Sequence, residues 1–218
     1  MKFNKQRKQI IQLYSSTLLG VVLGIFVSVL NTRNLGPSSY GDVRYVTNLF
    51  NFISSFLLFG YFVSGSRLLA ISKSKLNSQS IRGIMVVILG ITVLVTMFLL
   101  LVGAVVEYVW FNKEIVSLIL YAVPVCATPL MLNYINTTAQ GDNHIGRIAA
   151  ARLFPSFVYL IVGYLVYRYW GATSTKMLLL QNGIAIFVFS CIIWSTRPSF
   201  GYLKASFKRL NRENKRYG

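Results

Sequence analysis

Acidic residues are nearly absent: five Asp and Glu stand against 22 Lys and Arg in 218 residues, leaving a formal charge of +17. With no two of these carboxylates paired within an apolar run, general acid–base chemistry has little to work with. Charge of either sign is scarce, at 12%, where a soluble domain carries about 25%. The surface this chain exposes is therefore not one that water covers. His144 is the single histidine and has no companion at metal-ligand spacing, so it is expected in a solvated loop. The two cysteines, Cys126 and Cys191, lie far apart in separate apolar runs. They suit small buried apolar side chains better than a disulfide framework or a metal site. A Gly-x-Ser-x-Gly elbow, a phosphate-cradling GxxxxGK[ST] loop and a metal-spaced His/Glu pair are all missing. The sequence is accordingly read as a non-enzyme with no catalytic residue, metal or cofactor.

What is present is hydrocarbon, with 55% hydrophobic residues and a mean hydropathy of +0.58. A helix needs roughly 20 apolar residues to cross a bilayer, and six such runs occur, near 10–31, 43–64, 84–110, 115–138, 149–170 and 175–195. Because they are continuous rather than alternating, they predict helices and not barrel strands. The expected fold is an all-α membrane protein: a six-helix bundle between a short N-terminal segment, 1–9, and a basic tail, 196–218. The first run is too long for a cleaved signal peptide and has no small-x-small cleavage site, so it is expected to stay as the first span.

So large a positive surplus needs a negative partner, either nucleic acid or anionic lipid. The aromatics lie inside the apolar runs and the basic residues outside them, which excludes a nucleic-acid surface and favours lipid headgroups. With the N-terminus placed in the cytoplasm, only Arg33, Arg44, Lys113, Arg168 and Lys176 fall outside, and the other basic residues of the 22 fall inside. Basic residues are retained on the cytoplasmic side during insertion. The census therefore predicts an even number of spans with both termini cytoplasmic.

Within the runs, Ser16, Gly20, Gly24 and Ser28 repeat every four residues and put a small-residue stripe on one face of the first helix, where a neighbouring backbone could approach. Pro124 and Pro129 remove two backbone donors from the fourth run and predict a bend, whereas Pro155 is read as an ordinary first-turn proline. Polar side chains are expensive in a bilayer, so those sharing a face are informative. Asn48, Asn51 and Ser55 form one such stripe, Asn133, Asn136 and Gln140 another, and Gln181 with Asn182 a third. They are either interhelical hydrogen-bonding groups or the wall of a polar cavity. Arg33, Asp42 and Arg44 cluster at the first outer turn, where the arginines either meet a phosphate or snorkel to headgroups, with Asp42 pairing one of them. Arg67 fits the cytoplasmic basic belt.

Residues 31–70, NTRNLGPSSYGDVRYVTNLFNFISSFLLFGYFVSGSRLLA, resemble the first two helices of Wzx-type polysaccharide flippases, in the multidrug/oligosaccharidyl-lipid/polysaccharide export superfamily. That family reads R-x-LGP-x-x-YG between helices one and two, then a glycine near the end of helix two and an arginine opening the next loop. Arg33, Leu35, Gly36, Pro37, Tyr40, Gly41, Gly60 and Arg67 match it. Gly36 and Pro37 are expected to stop the first helix, and Gly41 to permit a sharp re-entry into the second. TAQGDNHIGRIAAARL is similar to the family's cytoplasmic loop before helix five.

The resemblance implies one lobe of a MATE-like flippase fold, with a second six-helix lobe or another copy of the chain completing a central cavity. It also implies a bacterial or archaeal cytoplasmic membrane and a lipid-linked oligosaccharide as substrate, carried on undecaprenyl diphosphate for capsule, O-antigen or a related polymer. Arg33, Asp42, Arg44, Asn48, Asn51, Asn133 and Asn136 are then the candidate cavity residues. A non-transporting scaffold of a glycan-assembly complex is the alternative from another class. A cation-coupled exporter of small compounds is a further one, disfavoured because no acid is expected well inside a helix.

Overall fold

The computed structural model describes residues 2–58, 60–72, 74–110 and 113–217. Lys73, part of the basic census, lies outside the described residues, as do the side chains of Lys2, Lys5, Lys8, Lys75, Lys113 and Glu114. Among the described residues all regular structure is helical: α1 (Lys2–Leu35), α2 (Pro37–Phe56), α3 (Tyr61–Ile71), α4 (Lys75–Trp110), α5 (Lys113–Ala122), α6 (Thr128–Gly141), α7 (Ile145–Trp170), α8 (Ser174–Ser195) and α9 (Leu203–Tyr217). Among the described residues five stretches are long and apolar enough to cross a membrane, or six if α2 and α3 are taken as one bent span. The chain is thus a multi-pass all-α membrane protein.

Most helices outrun the apolar segments that predict them. Hydropathy marks only the stretch matched to hydrocarbon, whereas backbone hydrogen bonding carries α4 from Lys75 and α7 from Ile145 through polar residues. Several expectations change as a result. Pro155 is not in the first turn of its helix but inside α7. Gly36, with φ +81°, is the single residue between α1 and α2, and Pro37 opens α2 rather than stopping α1. That is the first-turn site where a missing N–H costs least. Gly41 is not a turn residue; it lies within α2 with open space around its Cα.

The second span is not continuous over 43–64. α2 ends at Phe56, Gly60 adopts a left-handed conformation (φ +71°) as the cap of α3, and the two helices meet at 62°. Only glycine enters that region without a steric cost. The break expected from Pro124 and Pro129 is present. α5 passes through a short 3₁₀ turn, Val123–Val125, into α6, with each proline at the start of a helical segment.

The bundle has a core at each end. Toward the end that carries both termini, Phe62, Met85, Leu130, Tyr134 and Leu210 are buried together, and toward the other, Val46, Phe50, Leu100, Ile119 and Leu178. Segment 196–218 is not a plain tail. α9 lays Ser206 and Leu210 against the bundle, Tyr61 Oη donates to Asn211 Oδ1 (3.4 Å) and Ser64 Oγ to Asn214 Oδ1 (3.1 Å). Lys204, Lys208, Arg209, Arg212 and Lys215 face outwards.

Of the small-residue stripe on α1, Gly20 faces α7 and Ser28 faces α2, and neither glycine brings a neighbouring backbone close. A Cβ on Gly20 would meet Leu153 at 3.9 Å, and one on Gly24 would meet nothing within 4 Å. The close approaches lie elsewhere. A Cβ on Gly83 of α4 would collide with the Ser199 carbonyl, and one on Gly141 of α6 would come within 2.5 Å of the Ser66 carbonyl.

Candidate functional site

Because α2 starts one residue after α1 ends, the two helices form a tight hairpin whose facing residues meet. Tyr40 and Arg44, one turn apart on α2, reach Ser28 of α1. Tyr40 Oη donates to Ser28 Oγ (3.2 Å), Arg44 Nε donates to Tyr40 Oη (2.8 Å), and Arg44 Nη2 reaches both Tyr40 Oη and Ser28 Oγ (3.4 Å). The guanidinium also stacks over the Tyr40 ring, 4.9 Å from its centroid. These bonds use Nε and Nη2, so Nη1 keeps its donors for another acceptor. Arg44 is half-buried, not snorkelling freely.

Arg33 is exposed at the end of α1, and Asp42 pairs with neither arginine, so the pairing that went with the snorkelling alternative is not made. Instead Asp42 lines a polar cavity of about 360 Å³ with Ser38, Ser117, Ser174 and Thr175. Ser174 Oγ donates to the Ser39 carbonyl beside it (3.3 Å).

Down α2, Asn48, Asn51 and Ser55 all point out of the bundle. They are not interhelical fasteners within this chain: Ser55 Oγ returns to the Asn51 carbonyl of its own helix (2.9 Å). On α6, Asn133 and Asn136 are half-buried, and the Asn136 side-chain oxygen is buried with no hydrogen-bond partner. Gln140, a turn further on, opens into a different groove of about 450 Å³ beside Tyr14, Thr17 and Arg152. On α8, Asn182 is buried and bonds back to the Leu178 carbonyl (2.9 Å). The structure therefore gathers Tyr40, Arg44 and Ser28 into one cluster and places Asp42 in a separate polar cavity. Asn133 and Asn136 join neither.

Three polar groupings escape the sequence reading. Asn31, fully buried on α1, accepts hydrogen bonds from Tyr159 (2.6 Å) and Tyr167 (3.0 Å) of α7, whose hydroxyls are 2.7 Å apart. The eight-residue spacing of the tyrosines, which puts them on one helix face, was the available signal. Glu107 is buried in α4 and accepts a hydrogen bond from Tyr45 of α2. At the other end Asp142 holds two arginines, Arg82 Nη2 at 2.9 Å and Arg147 Nη1 at 3.1 Å, while Arg82 Nη1 donates to the Thr196 carbonyl (2.8 Å). One carboxylate so ties α4, the α6–α7 turn and the end of α8 together.

Cys126 is buried and Cys191 faces out of the bundle, where burial of both was expected; neither forms a disulfide. Among the described residues no three His, Cys, Asp or Glu side chains gather as metal ligands would. No protein-family model, curated protein or solved structure matches the chain.

Proposed function

We infer that the chain is one lobe of a membrane carrier, six spans with both termini cytoplasmic, that moves an undecaprenyl-diphosphate-linked oligosaccharide to the outer leaflet for surface polysaccharide synthesis. The observation that carries this reading is the outward face of α2. α4 turns Ile91, Leu94, Phe98, Val102 and Val105 out of the bundle, as a lipid-facing helix should, whereas α2 turns out a polar stripe, Asn48, Asn51 and Ser55, beside its exposed Tyr45, Phe52 and Phe56. Amides facing hydrocarbon forfeit their hydrogen bonds, so this face belongs against water or a second polar surface. A second six-helix unit, or another copy of this chain, opposite α2 would enclose such a cavity. Its amides would replace water around sugar hydroxyls, and Arg44, clamped with donors to spare, would meet the diphosphate. The Arg33 to Gly41 pattern points the same way, and the basic end fits the cytoplasmic side.

Two readings compete, each with its own observation. The docked α9 presents a basic face suited to a scaffold that binds anionic lipid or an acidic partner. Glu107, buried beside Tyr45, supplies the span carboxylate that a cation-coupled exporter requires.

The test is made in cells whose surface glycan depends on this protein. Arg44→Ala, and Asn48→Leu combined with Asn51→Leu, should each lower surface glycan about tenfold or more, the scale of one lost charge-assisted contact, while membrane levels of the protein hold. Unchanged glycan at normal protein levels overturns the reading. Flux of labelled lipid-linked oligosaccharide in proteoliposomes then separates carrier from scaffold.

A further inference from the structure

A groove of about 530 Å³ opens between α4, α6 and the end of α8, walled by Val86, Leu89, Met131 and Ile193 and rimmed by Trp194 and Arg197. It shares no residue with α1 or α2, so it is separate from the polar face of the proposed carrier cavity. The walls are apolar and the rim is cationic and aromatic, which is the polarity profile of an amphiphile with an anionic head. Trp194 is 85% exposed, as an indole at headgroup depth is.

The rim is built rather than loose. Arg197 adopts a left-handed backbone, φ +50°, just after α8 ends, and non-glycine residues hold that region only when the surroundings impose it. Here the elbow is fastened to α4 on both sides: Arg82 Nη1 grips the Thr196 carbonyl at 2.8 Å and the Ser199 amide donates to the Gln79 carbonyl at 3.0 Å. Gly83 lets the Ser199 backbone lie directly on α4. The Arg197 side chain is exposed and joins neither ion pair on Asp142.

We propose that this groove is a specific binding site for an anionic phospholipid, with one acyl chain along Val86, Leu89, Met131 and Ile193 and the phosphate on the Arg197 guanidinium. Its volume is in the range of ligand pockets, and a guanidinium presents paired donors to phosphate oxygens. The site holds a structural lipid from the leaflet on the side of the two termini and is independent of what the chain transports. A lipid lodged there would brace α8 against α4 at the elbow that leads into α9.

The experiment is native mass spectrometry of the full chain in mild detergent, titrated with phosphatidylglycerol and with phosphatidylcholine of the same acyl chains. Arg197→Asn tolerates the left-handed backbone while removing the charge. It should cut the preference for phosphatidylglycerol about fivefold, the size of one basic contact at a membrane surface. Arg197→Lys should restore most of it. Ser190 of α8 also lines the groove, so Ser190→Trp, which fills it, should reduce retention of both lipids, and Lys208→Gln on the outward face of α9 should change little. The proposal is overturned if Arg197→Asn and Ser190→Trp both leave retention unchanged, or if Lys208→Gln costs as much as Arg197→Asn, which would mean diffuse charge. Displacement of phosphatidylglycerol by equimolar undecaprenyl phosphate would assign the groove to an isoprenoid instead and equally overturn it.

Discussion

The two ends of this bundle are held in opposite ways. At the end that carries the termini, α4, α6, α8 and α9 are pinned by backbone-to-backbone contact at Gly83 and Gly141, by the Arg82–Asp142–Arg147 pairs and by the amides of α9 on α3. At the other end Gly36, Gly41 and Gly171 have open space around them, and a polar cavity separates the start of α2 from α5 and α8. The difference teaches where rigidity has been placed. One end is a fixed platform. The other, where α2 carries its outward amides, is where rearrangement or a partner meets the least resistance.

The largest effect that would break this comparison is at the platform's hub. Asp142→Ala should strand two arginines and cost about 3–5 kcal/mol, read as a large fall in the thermal midpoint of the detergent-solubilised protein. An unchanged midpoint would mean that the ion pairs are ornamental and the platform is held by apolar packing alone. Next in size, Gly83→Ala drives a methyl into the Ser199 backbone and should destabilise by about 1–3 kcal/mol. The same melting curve checks it, and a neutral result would show that the α8–α9 elbow lifts off α4 easily. Smallest, and opposite in sign, Gly41→Ala adds a methyl to an unobstructed helical position and should stabilise by about 0.5–1 kcal/mol. A loss of stability there would reveal a close neighbour at the open end and erase the contrast.

Much of the fold was legible because the physical demand is strong and one-dimensional. Roughly 20 apolar residues must be contiguous to cross hydrocarbon, so the runs in the sequence became the helices of the bundle, with the break at Pro124 and Pro129. The hinge at Gly60 was less legible, since hydropathy runs unbroken through Phe56 to Tyr61 and only the backbone conformation marks the bend. The helix α9 was hidden by its charge: it faces the bundle with Leu203, Leu210 and a few small or amide side chains, spaced along a basic helix and not joined in the continuous apolar run that marks a span. Of the candidate site, Tyr40 was visible in a motif and Arg44 as a candidate phosphate contact, but their joining on Ser28 of α1 was not. No acid was expected well inside a helix, and Glu107 lies near the end of its run, yet the last turns of α4 bury it against Tyr45.

The sequence alone determined that this chain lives in a bilayer, is helical and carries its basic residues between its apolar runs, because solvent and backbone hydrogen bonding leave no other arrangement for such a composition. Only the tertiary structure decided which polar groups are used up and which remain open. Asn31 and Asn48 are the same residue type, each on an early helix, and no local pattern separates them. The first is enclosed by two tyrosines from α7, 128 and 136 positions away along the chain, whereas the second is left facing outwards. That choice is made by which helices become neighbours, and contacts between such distant segments are not written in any one of them.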